Sequence, residues 1–294
     1  MNKESQKNIS IVEFDRLING NFHKSTPVYN ELIYALTSGL TNEGYKVNFL
    51  RNRLNSEQIN IIFGFHRILA DLSNIKFNNP KKIIFFNSEP LINYDEIYED
   101  RIKREKWKEY ADFLNKYPVI DYSSENIADK IYSRVLKFNF GYYDFKLPKF
   151  DKKNELLFFG HMNEFRTKKI NEISSLINKE IKIIKNEWGF NRDKLICESN
   201  FILNLPRLET KKIYSLEHIR IWYSLCLGAN VLCQKCDNLK TFDEYKNYIY
   251  FYESNDDLKN NFINFNKEIK VLNYKKNTNF KNSILEVMNF IESL

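Results

Sequence analysis

The sequence lacks long apolar runs and most of the short motifs that identify common enzyme classes. No apolar stretch approaches the roughly eighteen residues of a membrane span, and the polar N-terminal sequence MNKESQKNISIVEF contains no secretory apolar segment. There is no GxGxxG dinucleotide fingerprint, no GxxxxGK(S/T) phosphate loop and no GxSxG elbow. These absences disfavour a hydride-transfer enzyme, a kinase-type NTPase and an α/β-hydrolase, and they predict a soluble, cytoplasmic protein.

Cysteine and histidine are scarce, with four residues of each type. Cys233 and Cys236 form a lone CxxC pair without a second pair or spaced histidines nearby, so a zinc site is disfavoured. Cys197, Cys226 and Cys233 fall on or beside predicted buried elements, and reduced thiols are the default in the cytosol. Neither a metal ion nor a cofactor is therefore expected.

Charged residues are abundant but only mildly biased in sign, with 45 basic and 38 acidic residues and a formal net charge of +7. Both signs are mixed along the chain without a concentrated basic stripe, so nucleic-acid binding is disfavoured. A mild positive charge suits a nucleotide diphosphate substrate, peripheral contact with the inner membrane surface, or simply a lysine-rich solvated surface. The hydrophobic fraction of 43% is sufficient for sizeable cores, which excludes global disorder.

Short apolar runs alternate with helical patterns along the whole chain. The predicted strands cover residues 9–14, 45–50, 59–65, 82–86, 119–120, 134–140, 155–159, 181–184, 201–204, 231–233 and 248–252. The main predicted helices cover residues 27–42, 94–115, 168–178, 190–198, 216–227, 256–266 and 280–294. This alternation predicts two doubly wound parallel sheets. We expect an N-terminal domain over 1–145 and a C-terminal domain over 146–294, with the linker within 141–154.

Polar side chains follow the predicted strands of the N-terminal half. They are His23 and Ser25 after the first strand, His66 after the third, Glu89 after the fourth, and Asp121 and Ser123 after the fifth. Because the carboxyl ends of parallel strands meet at one edge of a sheet, these side chains should converge there. Each alone is more often a loop hydrogen-bonder than a catalyst, whereas several on one edge favour a binding cleft.

The stretch 201–234 of the C-terminal half is predicted as a buried strand, a polar loop, an amphipathic helix ending at Gly228 and a second buried strand. Glu217 and Arg220 lie one turn apart near the start of that helix, at the sheet edge where ligands bind and backbone N–H groups favour anions. Arg220 is spaced either to reach a phosphate or to pair with Glu217. Arg166, which follows a glycine turn, is the first phosphate candidate, with a solvated basic helix start as the alternative.

Several short segments resemble motifs of one enzyme group. Residues 20–25 (GNFHKS), 60–66 (NIIFGFH), 87–89 (NSE) and 117–123 (YPVIDYS) are similar to its G-Y-x-H-S, N-I-x-x-G-x-H, N-x-E and Y-P-V-x-D-Y-S segments. Residues 159–166 (FGHMNEFR) look like F-G-S-x-N-x-R-R, and 201–234 resembles an L-N-I-H loop followed by E-x-x-R and L-x-x-G-x-x-V. The chain thus resembles bacterial glycosyltransferases of the GT-B fold, in particular capsule and O-chain type enzymes related to family 4 retaining transferases.

The resemblance implies an α/β, GT-B-like architecture of two Rossmann-like domains facing a cleft. It implies transfer of a sugar from a nucleotide sugar to a saccharide or lipid-linked acceptor in cell-surface polysaccharide biosynthesis, with retention of configuration and without a metal. The donor-binding candidates are Gly160, Asn163, Arg166, Asn204, Glu209, Glu217 and Arg220. His23, His66 and Glu89 are the catalytic candidates, and Ser25, Asp121 and Ser123 belong to the acceptor side.

Two positions depart from the motifs of that group. Pro206 stands where histidine is usual, and Gln234 stands where a serine commonly follows the second strand. These departures affect the expected contacts to the donor's sugar and base. They leave open an alternative from another class, a non-catalytic GT-B-like protein that binds a nucleotide sugar or serves as a partner.

Overall fold

A computed structural model describes residues 7–18, 20–25, 27–68, 80–89, 91, 101–128, 131–185, 187–206, 217–235, 245–264 and 269–294. The chain divides into two compact units. Unit 1 comprises Met1–Asn139 and Phe280–Leu294, and unit 2 comprises Phe140–Asn279. These bounds differ from the boundary expected at 145/146, and the C-terminal helix belongs to the first unit.

Unit 1 contains a six-stranded, entirely parallel sheet in the order β4-β1-β5-β6-β7-β8. Its strands are β1 (Asn8–Glu13), β4 (Lys46–Arg51), β5 (Ile59–Phe63), β6 (Ile83–Asn87), β7 (Val119–Asp121) and β8 (Val135–Lys137). The central strands β5, β6 and β7 are almost wholly buried, as expected for a parallel sheet covered on both faces. The predicted strands are confirmed with small shifts at their ends.

In its described residues, unit 1 has three α-helices between its strands and one at the C-terminus of the chain. They are α1 (Asn30–Asn42), α2 (Arg101–Leu114), α3 (Ser124–Ala128) and the C-terminal α9 (Phe280–Glu292). An apolar cluster packs Tyr110 and Leu114 of α2 against strand residues such as Ile62 and Phe85. Helix α9 belongs to this unit and buries Phe280, Ile284, Val287 and Ile291; the ring of Phe280 meets that of Phe138 at 6.0 Å.

Unit 2 contains a five-stranded, entirely parallel sheet in the order β10-β9-β11-β12-β13. Its strands are β9 (Asn154–Phe159), β10 (Ile181–Ile184), β11 (Ser199–Asn204), β12 (Asn230–Gln234) and β13 (Tyr250–Tyr252). Its helices are α4 (Glu164–Ile177), α5 (Phe190–Cys197), α6 (His218–Cys226), α7 (Asn255–Asn261) and α8 (Ile269–Asn277). The two doubly wound parallel sheets predicted from the sequence are therefore confirmed.

A β-hairpin replaces the polar loop expected between the first strand and the first helix. Strands β2 (Arg16–Ile18) and β3 (Asn21–His23) pair antiparallel, with Ile18 opposite Asn21. The two intervening residues are Asn-Gly, and Gly20 has a φ of +75°. Asn-Gly is the strongest sequence signal for a tight hairpin, so this element was predictable.

The expected linker is part of unit 2. Gly141 accepts a 2.8 Å hydrogen bond from the Trp222 indole, and Phe145 contacts the rings of Trp222 and Tyr223. The backbone N–H of Tyr143 donates to the Cys226 thiol at 3.3 Å. These contacts pack residues 141–145 against α6, the helix that carries Arg220. Within the described part of the chain, no helix is long and apolar enough to cross a bilayer.

Candidate active site

Gly160 and Arg220 form a close contact at the carboxyl edge of the unit 2 sheet. Gly160 follows β9 with a φ of +141°, a conformation that side chains rarely adopt. A Cβ atom at this position would lie 2.5 Å from Nη2 of Arg220, on α6. The guanidinium also lies over the rings of Phe158 and Phe159, 5.4 and 5.6 Å from their centroids. Only glycine therefore lets this cation lie so close to the backbone after β9.

The polar contacts of Arg220 among the described residues are long. Nη1 is 3.5 Å from Oδ1 of Asn204, and Nη2 is 3.7 Å from Oε2 of Glu217. The first is at the limit of a hydrogen bond and the second is an ion pair without one. The guanidinium thus packs on two aromatic rings, in space left by the missing side chain of Gly160. Its N–H donors make only long polar contacts with the described residues. This arrangement suits it to bind an anion.

Arg166 has the opposite environment, because its side chain is buried and its donors are directed at protein acceptors. Nε donates to the carbonyl of Pro206 at 3.0 Å, and Nη1 donates to that of His161 at 2.7 Å. Nη2 donates to the carbonyl of Leu205 at 2.8 Å and to Oε1 of Glu217 at 2.9 Å. The side chain therefore cross-links the segments that follow β9 and β11. In this geometry Arg166 positions Glu217 and the backbone after β11.

Two asparagines and Glu217 complete this group. Asn163 is the N-cap of α4 and accepts a 2.9 Å hydrogen bond from the backbone N–H of Arg166. Asn204 is buried and donates to the Cys233 thiol at 3.4 Å. Glu217 occupies the N-cap position of α6, but its side chain makes no cap bond and is 36% exposed. The three described side chains Arg166, Arg220 and Glu217 carry a summed charge of +1, and the Glu217 carboxylate is partly exposed to solvent.

In unit 1, His66 and Glu89 come together at the carboxyl edge of the sheet. Nε2 of His66 is 3.4 Å from Oε1 of Glu89, and both side chains are partly exposed. The imidazole stacks on Trp107, with 6.4 Å between the ring centroids. Burial lowers the pKa of His66, and Arg67 lowers it further, while the Glu89 carboxylate opposes the shift. The shift favours the neutral imidazole, which is the form that can accept a proton.

A buried polar network holds the backbone of Glu89 in place. Oδ2 of Asp121 accepts hydrogen bonds from Asn87 and Asn126, each at 2.9 Å, and from the hydroxyl of Tyr132. The same two amides also donate to the carbonyl of Glu89, at 2.8 and 2.9 Å. Asp121 is fully buried, and burial raises its pKa to about 6 against the effect of these hydrogen bonds. Asp121 thus acts on the site through the asparagines that orient Glu89.

No family model and no curated protein matches the chain. Solved structures do match it over its full length. AviGT4, a glycosyltransferase involved in avilamycin A biosynthesis, superimposes with a TM-score of 0.64 at 9% identity, covering 98% of each chain. WaaG, a glycosyltransferase involved in lipopolysaccharide biosynthesis, gives 0.56 at 10% identity, covering 96% of this chain and 99% of its own. This chain has the GT-B glycosyltransferase fold.

A third GT-B structure extends this likeness. A TarM variant from S. aureus, in complex with fondaparinux, alpha-GlcNAc-glycerol and UDP, gives a TM-score of 0.53 at 10% identity. The match covers 81% of the present chain and 56% of the TarM chain. At these identities the likeness establishes the GT-B fold.

The remaining predicted residues are exposed, form hydrogen bonds with the backbone, or lie outside the described residues. His23 is exposed at the end of the hairpin. Ser25 accepts from the backbone N–H of Arg16 at 2.8 Å, and its own N–H donates to Asp15 at 2.9 Å. Ser123 accepts a 3.2 Å hydrogen bond from the backbone N–H of Asn126, at the start of α3. Glu209 lies outside the described residues, and so does Cys236.

Glu13, at the carboxyl edge of the unit 1 sheet, was not among the residues predicted from the sequence. It is buried at the end of β1, where its carboxylate pairs with Arg51 at 2.8 Å and Arg67 at 3.1 Å. Nη1 of Arg67 also donates to the carbonyl of Phe14 at 3.0 Å. An acidic residue inside the apolar run IVEF was the available signal, because a buried carboxylate requires cationic or hydrogen-bonding partners. The described residues contain no group of three or more His, Cys, Asp or Glu suited to a metal ion.

Replacing Glu89 with glutamine should lower the pKa of His66 below its value in the unmodified protein. The physical reason is that the Glu89 carboxylate is the group that raises this pKa against burial and Arg67. NMR titration of the histidine ring protons measures the change. Glu57→Gln removes an equal charge from an exposed position of unit 1 and should leave the His66 titration unchanged. An identical His66 titration in the Glu89→Gln protein would contradict the pairing.

Proposed function

We propose that this GT-B chain is a glycosyltransferase that moves a sugar from a nucleotide-sugar donor to a saccharide or lipid-linked acceptor in cell-surface polysaccharide biosynthesis. The observation that carries the proposal is the guanidinium of Arg220 against Gly160, beside the accessible carboxylate of Glu217. A cation suits a diphosphate, and a carboxylate suits the hydroxyl groups of a ribose or sugar. Both lie where open α/β sheets bind ligands.

Arg220 is proposed to stabilise the leaving diphosphate. Negative charge develops on the diphosphate as the bond to the anomeric carbon breaks, and a preoriented cation with little hydrogen bonding of its own is suited to stabilise that charge. The charge distribution of the chain agrees with this placement. Unit 2 holds 24 basic against 18 acidic residues, whereas unit 1 holds 21 against 20. The positive net charge of the protein therefore belongs mainly to unit 2.

His66 and Glu89 are proposed to serve the acceptor. A neutral imidazole beside a carboxylate can accept the proton that an acceptor hydroxyl loses, and it lies within one unit with the network that orients Glu89. We propose retention of configuration, as in the family 4 enzymes that the sequence resembles, and a reaction that requires neither metal nor cofactor. A lipid-linked acceptor would bring this cytoplasmic protein to the inner membrane surface.

The structural neighbours support the donor and acceptor classes. AviGT4 and WaaG are glycosyltransferases, and the TarM variant was solved with UDP and a glycosylated glycerol. A nucleoside diphosphate is the product that remains after a nucleotide sugar has given up its sugar. We therefore expect the present chain to bind nucleoside diphosphates through unit 2.

The test of this proposal measures donor hydrolysis and thermal stabilisation over a panel of nucleotide sugars. At least one donor should stabilise the protein and be hydrolysed, or transferred when saccharide acceptors are added. Glu217→Gln should reduce turnover of that donor by at least about tenfold, the effect of removing a charge-assisted hydrogen bond. Glu180→Gln, an exposed carboxylate just before β10, is the matched control.

The outcomes separate the proposal from its main alternative. Stabilisation by a nucleotide sugar without turnover would favour the non-catalytic binding protein that Pro206 and Gln234 leave open. The absence of both stabilisation and turnover across the panel would contradict nucleotide-sugar binding altogether.

A further inference from the structure

Trp188 is an exposed aromatic residue near the carboxyl edge of the unit 2 sheet, outside the groups described above, and it packs on a buried arginine. Trp188 follows β10 and is 38% exposed. The guanidinium of Arg192, on α5, lies 5.1 Å from the Trp188 ring and 4.9 Å from the ring of Tyr223. Arg192 is buried, and Asp193 accepts from its Nε and Nη2 at 3.1 and 2.8 Å. The layered arrangement of Trp188, Arg192 and Tyr223 holds the indole in a defined plane.

The register of the sheet brings the ends of β10 and β9, which precede Trp188 and Gly160 in the chain, to the same edge. Strands β10 and β9 are parallel neighbours, and Ile184 pairs with Phe159 at their carboxyl ends. Gly160 directly follows Phe159 and Lys185 directly follows Ile184, so the two strands end at the same level. Neighbouring strands lie roughly 4.8 Å apart. A ligand that contacts Arg220 with its phosphates can therefore extend its other end toward Trp188.

We propose that Trp188 stacks on the base of the nucleotide donor. This inference rests on the proposed function, since it assumes that the phosphates lie at Arg220. A planar base matches an exposed, fixed aromatic ring, and every base offers a π face for stacking. The cation of Arg192 is attracted to the face of the indole and so helps to fix the plane of the ring.

The neighbouring Phe190 provides a matched control. It is 56% exposed and lies two residues along the chain, so its replacement removes an exposed aromatic ring from the same segment. Its ring meets Phe150 edge-on at 6.3 Å with an interplanar angle of 61°. Trp222 is fully buried, which leaves Trp188 as the exposed tryptophan among the described residues of unit 2. Its fluorescence can therefore report on stacking.

The experiment titrates the full chain with UDP, ADP, GDP and inorganic pyrophosphate, by calorimetry and by tryptophan fluorescence. Trp188→Ala should weaken binding of the preferred nucleoside diphosphate about tenfold, within the range for loss of one stacked base, and should leave pyrophosphate binding unchanged. Trp188→Phe should retain most of the affinity but lose the nucleotide-dependent quenching. Phe190→Ala should behave like the unmodified protein in every titration.

Three results would overturn the inference. Unchanged nucleotide affinity in Trp188→Ala would show that the indole does not contact the base. Equal loss of nucleotide and pyrophosphate binding would show that Trp188 supports the fold of the edge instead. Failure of the unmodified protein to bind any of the nucleotides would contradict the proposed function as well. A binding defect confined to the Trp188 variants would not, so the two failures can be distinguished.

Discussion

Replacing Arg166 with methionine is expected to lower the free energy of unfolding by roughly 3–5 kcal/mol, the range for removing one partner of a buried charged network. Methionine fills a similar volume but leaves the carbonyls of His161, Leu205 and Pro206 without their donor. Each buried acceptor left unsatisfied costs about 1–3 kcal/mol. Urea-induced unfolding, followed by circular dichroism, measures the loss.

Lys179→Met is the control for Arg166→Met, because it removes a basic side chain from an exposed position beyond the other end of α4. Its stability should stay close to that of the unmodified protein. From the sequence we expected Arg166 to contact phosphate. A stable Arg166→Met protein that no longer binds the donor would restore that role and contradict the cross-link described here.

Replacing Arg220 with glutamine is expected to weaken binding of a nucleoside diphosphate by about 10- to 100-fold. This corresponds to roughly 1.5–3 kcal/mol for hydrogen bonds from a charged donor. Stability should change little, because the polar contacts of Arg220 are at 3.5 and 3.7 Å and its removal leaves no closely bonded partner behind. Calorimetric titration with the preferred nucleoside diphosphate and with pyrophosphate measures the change, and donor turnover should fall with it.

Three further variants make the Arg220 test specific. Gly160→Ala keeps the cation but places a Cβ atom 2.5 Å from the present position of Nη2, which forces the guanidinium to move, so it should reproduce much of the loss. Lys179→Gln, at the exposed far end of α4, should have no effect on binding. Lys168→Gln tests the alternative that the basic start of α4 holds the phosphates. Full affinity in Arg220→Gln, together with a loss in Lys168→Gln, would move the phosphate site to α4.

The hairpin and the Arg166 cross-link show why some features were predictable and others were not. The Asn-Gly pair at 19–20 is a signal for a tight hairpin turn, and this signal requires only the few residues next to it in the chain. Arg166 instead bonds with acceptors 39 to 51 positions away along the chain. A motif match at 159–166 indicates that an arginine follows the strand, but it does not indicate which acceptors surround the side chain.

The same distinction holds for unit 1. The order of apolar runs placed His66 and Glu89 at the ends of strands, and parallel pairing brings them to one edge. Asp121 also follows a strand, yet it is fully buried among Asn87, Asn126 and Tyr132. Its position in the chain resembles that of a ligand-binding residue, and only its burial distinguishes it from one.

The sequence by itself determined the two parallel sheets, the edges at which polar residues collect and the resemblance to GT-B glycosyltransferases. These features follow from alternating apolar runs and short motifs, which act over a few residues. The tertiary structure decided that Arg220, and not Arg166, makes only long polar contacts with the part of the chain that the structure describes, and that Asp121 is buried and supports Glu89. It also placed the C-terminal helix in unit 1. Those outcomes depend on burial and on partners distant in the chain, because a donor that is already bonded to buried protein carbonyls has little left to offer a ligand.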